Sequence, residues 1–302
     1  MKVRACHLPC PPGFDFHATA TVMRRGPADP LIWFDGRRWR RRLALDGAAF
    51  LVEVAPAPPA ARAGTILSAR LLAGRVPRPT LERVVARVFG LDDPAGALTR
   101  RLPDRVRRAT AHLSGAAALP GYPTLFEALV HVILGQQISA TAANAHRAAF
   151  TRRFGRPFVF QGRAYWTFPA TGDVAGERLA SLRRPGLSAA KAIAVRALAR
   201  AFDRGMISDA ALEVMPAETA IETLTALPGI GRWTAEWVLL RALRRFDIVP
   251  AGDLAVRKAV TWLAGRPTLL SEPEVREVAA PWTPYGGLIA FRLLLAHRQT
   301  VG

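Results

Sequence analysis

Leu227-Pro-Gly-Ile-Gly-Arg-Trp-Thr-Ala235 lies between two apolar helical segments, Ala220 to Ala226 and Thr234 to Arg244. Helix, Pro-Gly-x-Gly, helix predicts a tight hairpin whose glycines let the backbone turn and approach a partner closely. The N–H groups around Gly229 and Gly231, with the start of the second helix, then point outward and offer a site for one phosphate. Gly-x-Gly alone is more often an ordinary turn between two helices. The nine-residue string is far more specific. It nominates Gly229, Ile230, Gly231, Arg232 and Thr234 as contacts to a phosphate backbone.

Working outward, the rest of the second part also has helical period. Leu125, Leu129, Val132 and Ile133 make one buried helix face. Ser188 is placed to cap a helix running to Phe202 with Gly205 beyond it, and Ser271 with Glu274 has capping-box spacing before Val275 to Ala280. Leu288 to His297 is another apolar helix. The first ~75 residues read as β-rich instead. Phe14 to Val22 is a candidate strand. Leu31 to Phe34, Asp35-Gly36 and Arg37 to Leu45 form a hairpin with a type I′ turn. Ala48 to Val54 and Thr65 to Leu72 are further strands, separated by a loop at Pro56, Pro58 and Pro59. Thr80 is expected to cap a helix from Leu81 to Phe89, which stops at Gly90. The fold class is α+β, with a β-rich domain over 1–100 and an all-helical domain over 101–302.

The 302 residues carry 42 Lys plus Arg against 23 Asp plus Glu, a net charge of +19, and only Lys2, Lys191 and Lys258 are lysines. Such a chain is drawn to phosphate polymers. No apolar run approaches ~18 residues, so no membrane span is expected, and the first residues lack the apolar region of a signal peptide. Cys6 and Cys10 sit near an end expected to be mobile. They are too few for a disulfide framework, and their spacing is weak for a metal site. His112, His131 and His146 have no metal-like spacing. The protein is expected to be intracellular and free of bound metal.

Past the hairpin comes Ile248-Val249-Pro250-Ala251-Gly252-Asp253-Leu254-Ala255-Val256-Arg257-Lys258; upstream are Gly135-Gln136-Gln137-Ile138-Ser139 and Gly186-Leu187-Ser188 with Lys191-Ala192. Together with the hairpin these segments resemble the helix–hairpin–helix DNA glycosylases that carry a glycine/proline-rich loop ending in aspartate. The β-rich start and Pro281-Trp282-Thr283-Pro284-Tyr285 narrow the likeness to the bacterial alkylation-repair type, 3-methyladenine DNA glycosylase II (AlkA). The likeness is strong from ~120 to the end and architectural before that.

By itself, Asp253 ahead of a helix reads as an N-cap. The resemblance makes it the catalytic carboxylate. Cleaving an N-glycosidic bond builds positive charge on the sugar, which a nearby carboxylate stabilises by an amount on the scale of ~3 kcal/mol. No partner acid is evident, and an alkylated purine needs none, because it is already cationic and leaves without protonation. Relatives that also cut the strand carry a lysine after the hairpin. Trp233 stands there instead, and Lys258 lies beyond Asp253, so the resemblance implies a monofunctional enzyme that uses water. Trp233 and Trp237, spaced i, i+4, with Trp282 and Tyr285, are expected to form an aromatic cleft for the cationic base, at roughly 0.5–2 kcal/mol per ring. In the family the residue after Gly-Gln wedges into the gap left by the extruded base. Here that residue is Gln137, followed by Ile138.

The expected activity is release of alkylated purines such as 3-methyladenine or 7-methylguanine from duplex DNA, the first step of base-excision repair. Two alternatives remain from the sequence: a glycosylase for another damaged base, and a helix–hairpin–helix module that only binds DNA. No cofactor is expected, although a monovalent cation at the hairpin is compatible with the pattern. The expected partner is double-stranded DNA containing damaged bases. A monomer in a bacterial-type cytoplasm, associated with the nucleoid, completes the expectation.

Overall fold

A computed structural model of the chain describes residues 5–24, 26, 28–45, 47–58, 65–93, 102–111, 113 and 118–301. The boundary expected between 100 and 101, Pro59 and His112 lie outside these residues. Five strands form one antiparallel sheet in the order β1-β5-β4-β3-β2, namely β1 (Ala5–Pro9), β2 (Ile32–Phe34), β3 (Trp39–Leu45), β4 (Ala48–Pro56) and β5 (Ile66–Gly74). Phe50, Val52 and Val54 of β4 pack with α1 (Phe16–Met23) and α2 (Arg78–Phe89) into one apolar core. Cys6 is buried in that core within an ordered strand, so the end of the chain is not loose at this point.

Three local expectations are corrected here. The strand expected at Phe14 to Val22 is helix α1. Asp15 Oδ1 accepts from the Ala18 N–H at 2.9 Å, and Phe16, Thr19, Ala20 and Met23 are buried at i, i+3, i+4, i+7, a helical stripe. Asp35-Gly36 does close the β2–β3 hairpin, but not as a type I′ turn. Only Gly36 takes a positive φ, +93°, while the Asp35 carboxylate accepts from the N–H groups of Arg37 and Arg38. Helix α2 begins behind Pro77, so Thr80 lies inside it rather than at its cap, and it does end at Gly90 with φ +69°.

The second part is mostly helical. It contains α3 (Asp104–Thr110), α4 (Leu125–Gly135), α5 (Ala140–Phe154), α6 (Thr171–Ala175), α7 (Leu179–Arg183), α8 (Ala189–Asp203), α9 (Asp209–Val214), α10 (Ala217–Thr225), α11 (Arg232–Ala242), α12 (Leu254–Ala264), α13 (Glu272–Ala279) and α14 (Gly286–Val301). The all-helical expectation misses one hairpin, β6 (Pro157–Phe160) with β7 (Arg163–Trp166). Its turn, Gln161 at φ +50° and Gly162 at φ +74°, has the two positive φ values of a type I′ turn. The α+β class holds.

Two helical cores meet at α11. Ala235, Val238, Leu239 and Ala242 join a core with α4, α8 and α10, while Leu240 joins a second core with α12, α13 and α14. The turn before α11 and the loop before α12 therefore open at the seam between these cores. A buried ion pair ties the sheet to the helices: Arg41 Nη2 of β3 donates to Glu127 Oε1 of α4 at 2.6 Å.

Candidate active site and nucleic-acid interface

The hairpin forms as its sequence predicts. Helix α10 ends at Thr225, the Ile230 N–H returns to the Leu227 carbonyl at 3.3 Å, and α11 starts at Arg232. Gly229 has φ +76°, and a Cβ there would sit 2.9 Å from the Ala194 Cβ of α8. Glycine is thus required twice, for the turn and for the close approach. Gly231 caps α11 without a side-chain bond and has open space where a Cβ would be. Among the described residues, the N–H groups of Gly231, Arg232 and Trp233 have no intrachain acceptor. They make an outward-facing donor set at a helix N-terminus, the arrangement that takes a phosphate.

The upstream motifs converge on this turn. Gln136, which follows α4, donates from Nε2 to the Gly229 carbonyl at 2.9 Å. Lys191 in the first turn of α8 donates to the carbonyls of Leu134 and Gln136 at 3.0 and 2.8 Å, with Ser188 capping the helix it belongs to. Burial and the nearby Arg147 lower the Lys191 pKa, yet its ammonium has two oxygen acceptors. The next residue along the motif, Gln137, is exposed and held at φ +55°. Such a backbone is uncommon outside glycine and costs energy that its surroundings must offset. Ile138 beside it is also exposed.

Asp253 is both the N-cap of α12 and the acceptor for two tryptophans. Its Oδ1 accepts from the N–H groups of Ala255 and Val256 at 2.8 and 3.0 Å. Its Oδ2 accepts from Trp233 Nε1 at 2.8 Å and from Trp237 Nε1 at 3.0 Å. The i, i+4 spacing on α11 brings the two indoles to one oxygen. The sequence pattern, read for cation–π contact alone, does not reveal these bonds. Lys258 is exposed on α12 and makes no bond to Asp253.

Other nominated residues are placed differently. Trp282 is only 5% exposed, packed in the second helical core, and does not wall an open cleft. Trp237 and Tyr285 are half-buried against the same core, leaving Trp233, 45% exposed, as the open ring of the set. The side chains of Ile230 and Thr234 are buried, so they offer backbone only. The Arg232 guanidinium is already held by carboxylates, so this residue too offers its backbone N–H to a phosphate. Nη1 and Nη2 reach Glu218 at 2.5 and 2.8 Å, and Nε reaches Glu236 Oε1 at 3.0 Å. Glu236 is 1% exposed and also accepts from Arg276 at 2.7 Å. Burial raises its pKa despite the two arginines. Arg276 reaches Glu272 and the Val249 carbonyl as well, at 2.6 and 3.4 Å, so this network braces the loop that carries Asp253. Arg232–Glu236 and Arg276–Glu272 are i, i+4 pairs, whereas the pairs that join elements, Arg232–Glu218 and Arg276–Glu236, lie 14 and 40 positions apart, beyond any local pattern.

Among the described residues no group of three or more His, Cys, Asp or Glu side chains is gathered to hold a metal. Burial pushes the Cys6 and Cys10 thiols up to about 11, the opposite of a reactive or ligating pair. No described helix is long and apolar enough to cross a membrane.

Residues 130–284 match the family described as HhH-GPD superfamily base excision DNA repair protein. The chain is 30% identical over 173 residues to the DNA-3-methyladenine glycosylase of Bacillus subtilis (strain 168), spanning 57% of each chain. It is 31% identical over 161 residues to DNA-3-methyladenine glycosylase 1 of Schizosaccharomyces pombe, spanning 52% of this chain and 67% of that one. The match thus spans little more than half the length of the Bacillus relative. The solved structure of the 3-methyladenine DNA-glycosylase from Archaeoglobus fulgidus aligns with a TM-score of 0.78 at 27% identity, covering 98% of this chain and 99% of that one.

Proposed function

The chain belongs to the HhH-GPD superfamily of base excision DNA repair proteins, and from that premise we propose that it is a monofunctional glycosylase releasing alkylated purines from duplex DNA. One observation carries the reading: a carboxylate, Asp253, is fixed through both oxygens and bonded to an exposed tryptophan in the first turn of the helix whose N-terminal N–H groups are free. A module that only binds DNA needs the N–H groups but not this carboxylate.

The hairpin grips a backbone phosphate, and the damaged nucleotide leaves the stack. Exposed Gln137 fills the space left behind. The cationic base stands against Trp233, whose π-face attracts it. As the bond from C1′ to the base nitrogen breaks, its electron pair neutralises the purine, and positive charge moves to C1′ and the ring oxygen. Asp253 faces that charge, already oriented by four donors, so little reorganisation is needed during the reaction. Water adds to C1′ and its proton passes to Asp253 or to solvent, leaving an abasic site. The indole of Trp233 cannot form an imine, so the strand stays intact. The reading needs no cofactor, a monovalent cation at the hairpin being compatible with it. It describes a monomer acting on damaged duplex in the nucleoid.

Incubation with methylated duplex, followed by identification of the released bases, tests the proposal. It expects 3-methyladenine or 7-methylguanine in solution, abasic sites in the strand and no borohydride-trapped adduct. Absence of released base, or efficient trapping, rejects it.

A further inference from the structure

Arg37-Arg38-Trp39-Arg40-Arg41-Arg42 places five arginines in six positions. Trp39, Arg41 and Leu43 are buried toward α4 and the sheet core. Alternation puts Arg40 and Arg42 on the other face of β3, at steps of ~6.6 Å. The β6–β7 hairpin packs on that face. Arg42 Nη1 donates to the Pro157 carbonyl at 2.9 Å and its guanidinium lies 4.5 Å from the Phe158 ring centroid. The Trp166 N–H donates to the Pro30 carbonyl at 3.3 Å. Trp33, paired with Arg40 in the sheet, has three guanidiniums around its ring, those of Arg40, Arg38 and Arg163 at 4.7, 5.6 and 5.7 Å. Arg152 lies 5.9 Å from the Trp166 ring.

These cations are only partly neutralised. Asp35 pairs with Arg38, and Glu53 pairs with Arg40 and Arg70. Among the described residues, Arg37, Arg42, Arg152, Arg153 and Arg163 form no ion pair. Gathering like charges on one surface raises the free energy of the folded state unless an anion offsets it. A guanidinium laid on an aromatic ring keeps its N–H fork in a restricted plane, so less entropy is lost when it meets a phosphate. Arg37 and Arg42 of one hairpin and Arg163 of the other, all free of carboxylates, offer their cations to backbone phosphates.

We propose that the β2–β3 and β6–β7 hairpins together form a second surface for duplex DNA phosphates, separate from the α10–α11 hairpin and sharing no residue with it. The choice of DNA as the polyanion rests on the glycosylase reading. The surface holds the protein on undamaged duplex independently of the lesion site.

The test measures binding of the full chain to an undamaged duplex of about 30 base pairs by fluorescence anisotropy as a function of salt. The Arg37→Gln/Arg152→Gln/Arg163→Gln variant is expected to reduce the slope of log K against log salt by about 2.7, at ~0.9 for each phosphate that is no longer neutralised. It is also expected to raise Kd about tenfold or more at ~0.1 M salt. A control removing three exposed arginines elsewhere, Arg83, Arg204 and Arg298, should change the slope much less. Equal slopes for wild type and variant overturn the proposal, and so does an equal effect in the control, which reduces the surface to net charge. If the triple variant fails to fold, Arg163→Gln alone should lower the slope by about 0.9, and no change there overturns the proposal. Weakened binding to phosphatidylserine vesicles with the duplex slope intact overturns it in favour of a lipid surface. Base release from methylated duplex reports separately: released base with unchanged slopes leaves the glycosylase reading standing and this one overturned, and the reverse result does the opposite.

Discussion

Trp233 Nε1 donates to Asp253 Oδ2 at 2.8 Å, joining the most exposed tryptophan of the hairpin helix to a carboxylate twenty positions on. With Trp237 on the same oxygen and two backbone N–H groups on the other, Asp253 receives four donors. In Asp253→Asn the side-chain oxygen can keep the cap, but the amide NH2 then faces two N–H donors. Base release should fall by about two orders of magnitude or more, the scale of losing one preorganised electrostatic group. Duplex affinity should stay equal or rise, since phosphate contacts dominate it. Both are measured on one alkylated duplex, with circular dichroism to confirm the fold. Near wild-type release by a folded variant would reduce Asp253 to a helix cap.

Trp233→Phe keeps a ring but removes one of the two donors. Hydrogen bonds to charged groups contribute about 1.5–3 kcal/mol, so base release should slow roughly tenfold or more. Trp237→Phe should behave similarly, and the double variant should deviate from additivity because both act on one oxygen. A rate cycle over the four proteins checks this. Strict additivity would show that the two indoles act independently.

Arg232→Ala distinguishes bracing from phosphate binding. Its removal leaves buried Glu236 with Arg276 alone, and stability should drop by about 2 kcal/mol. The salt dependence of duplex affinity should not change, because the guanidinium is already taken by Glu218 and Glu236. Chemical denaturation and salt titration of the same protein read the two effects separately.

Arg41→Ala breaks the ion pair between the sheet and α4 and leaves the Glu127 carboxylate in a buried place. A cost of about 3–5 kcal/mol is expected. Arg41→Met with Glu127→Leu together should recover much of it, since apolar replacement of a buried pair is often neutral or better. Urea midpoints of the three proteins decide the matter.

Burial pushes the Glu53 carboxyl up, but Arg40 and Arg70 outweigh it and hold it below its ordinary value of 4.5. A depressed folded-state pKa adds stability that is full above the ordinary value and lost as pH falls through the depressed one. Glu53→Gln should therefore be less stable than wild type near neutral pH, with the gap closing as the solution is acidified below 4.5. Thermal midpoints across that range test the sign: a gap that widens on acidification contradicts it.

Local signals in the chain carry some of these features and mislead on others. The hairpin, the Ser188 and Ser271 caps and the Gly90 stop are set by residues a few positions apart, and each forms where expected. Asp15, with burial at 16, 19, 20 and 23, has a helical signature that the aromatic alternation around Phe14 and Phe16 obscures. Gln161-Gly162 between alternating segments is a usable hairpin signal, though a quieter one than Asp35-Gly36. The latter makes a different turn because its carboxylate binds the next two N–H groups. Asp253 is legible as a carboxylate before a helix, but its two indole donors are not. The pair of Arg232 with Glu236 is an i, i+4 spacing on one helix, but the commitment of Arg232 to Glu218, and of Trp282 to the core, depends on side chains meeting across elements, which no local spacing encodes.

The bond from Gln136 to the Gly229 carbonyl joins residues 93 positions apart, and the clamp from Lys191 to the Gln136 carbonyl closes 55. Sequence separation becomes order in time when a chain is folding. The turn itself, from Leu227 to Ile230, closes locally and quickly, whereas its attachment waits for the slower meeting of distant segments. During synthesis the chain emerges from its N-terminal side. Helix α4, Gln136 and the first turn of α8 are synthesised before Gly229 has been added. The nascent chain can therefore bring the Lys191 clamp together first, and the glycine turn, arriving last, docks onto a seat already built.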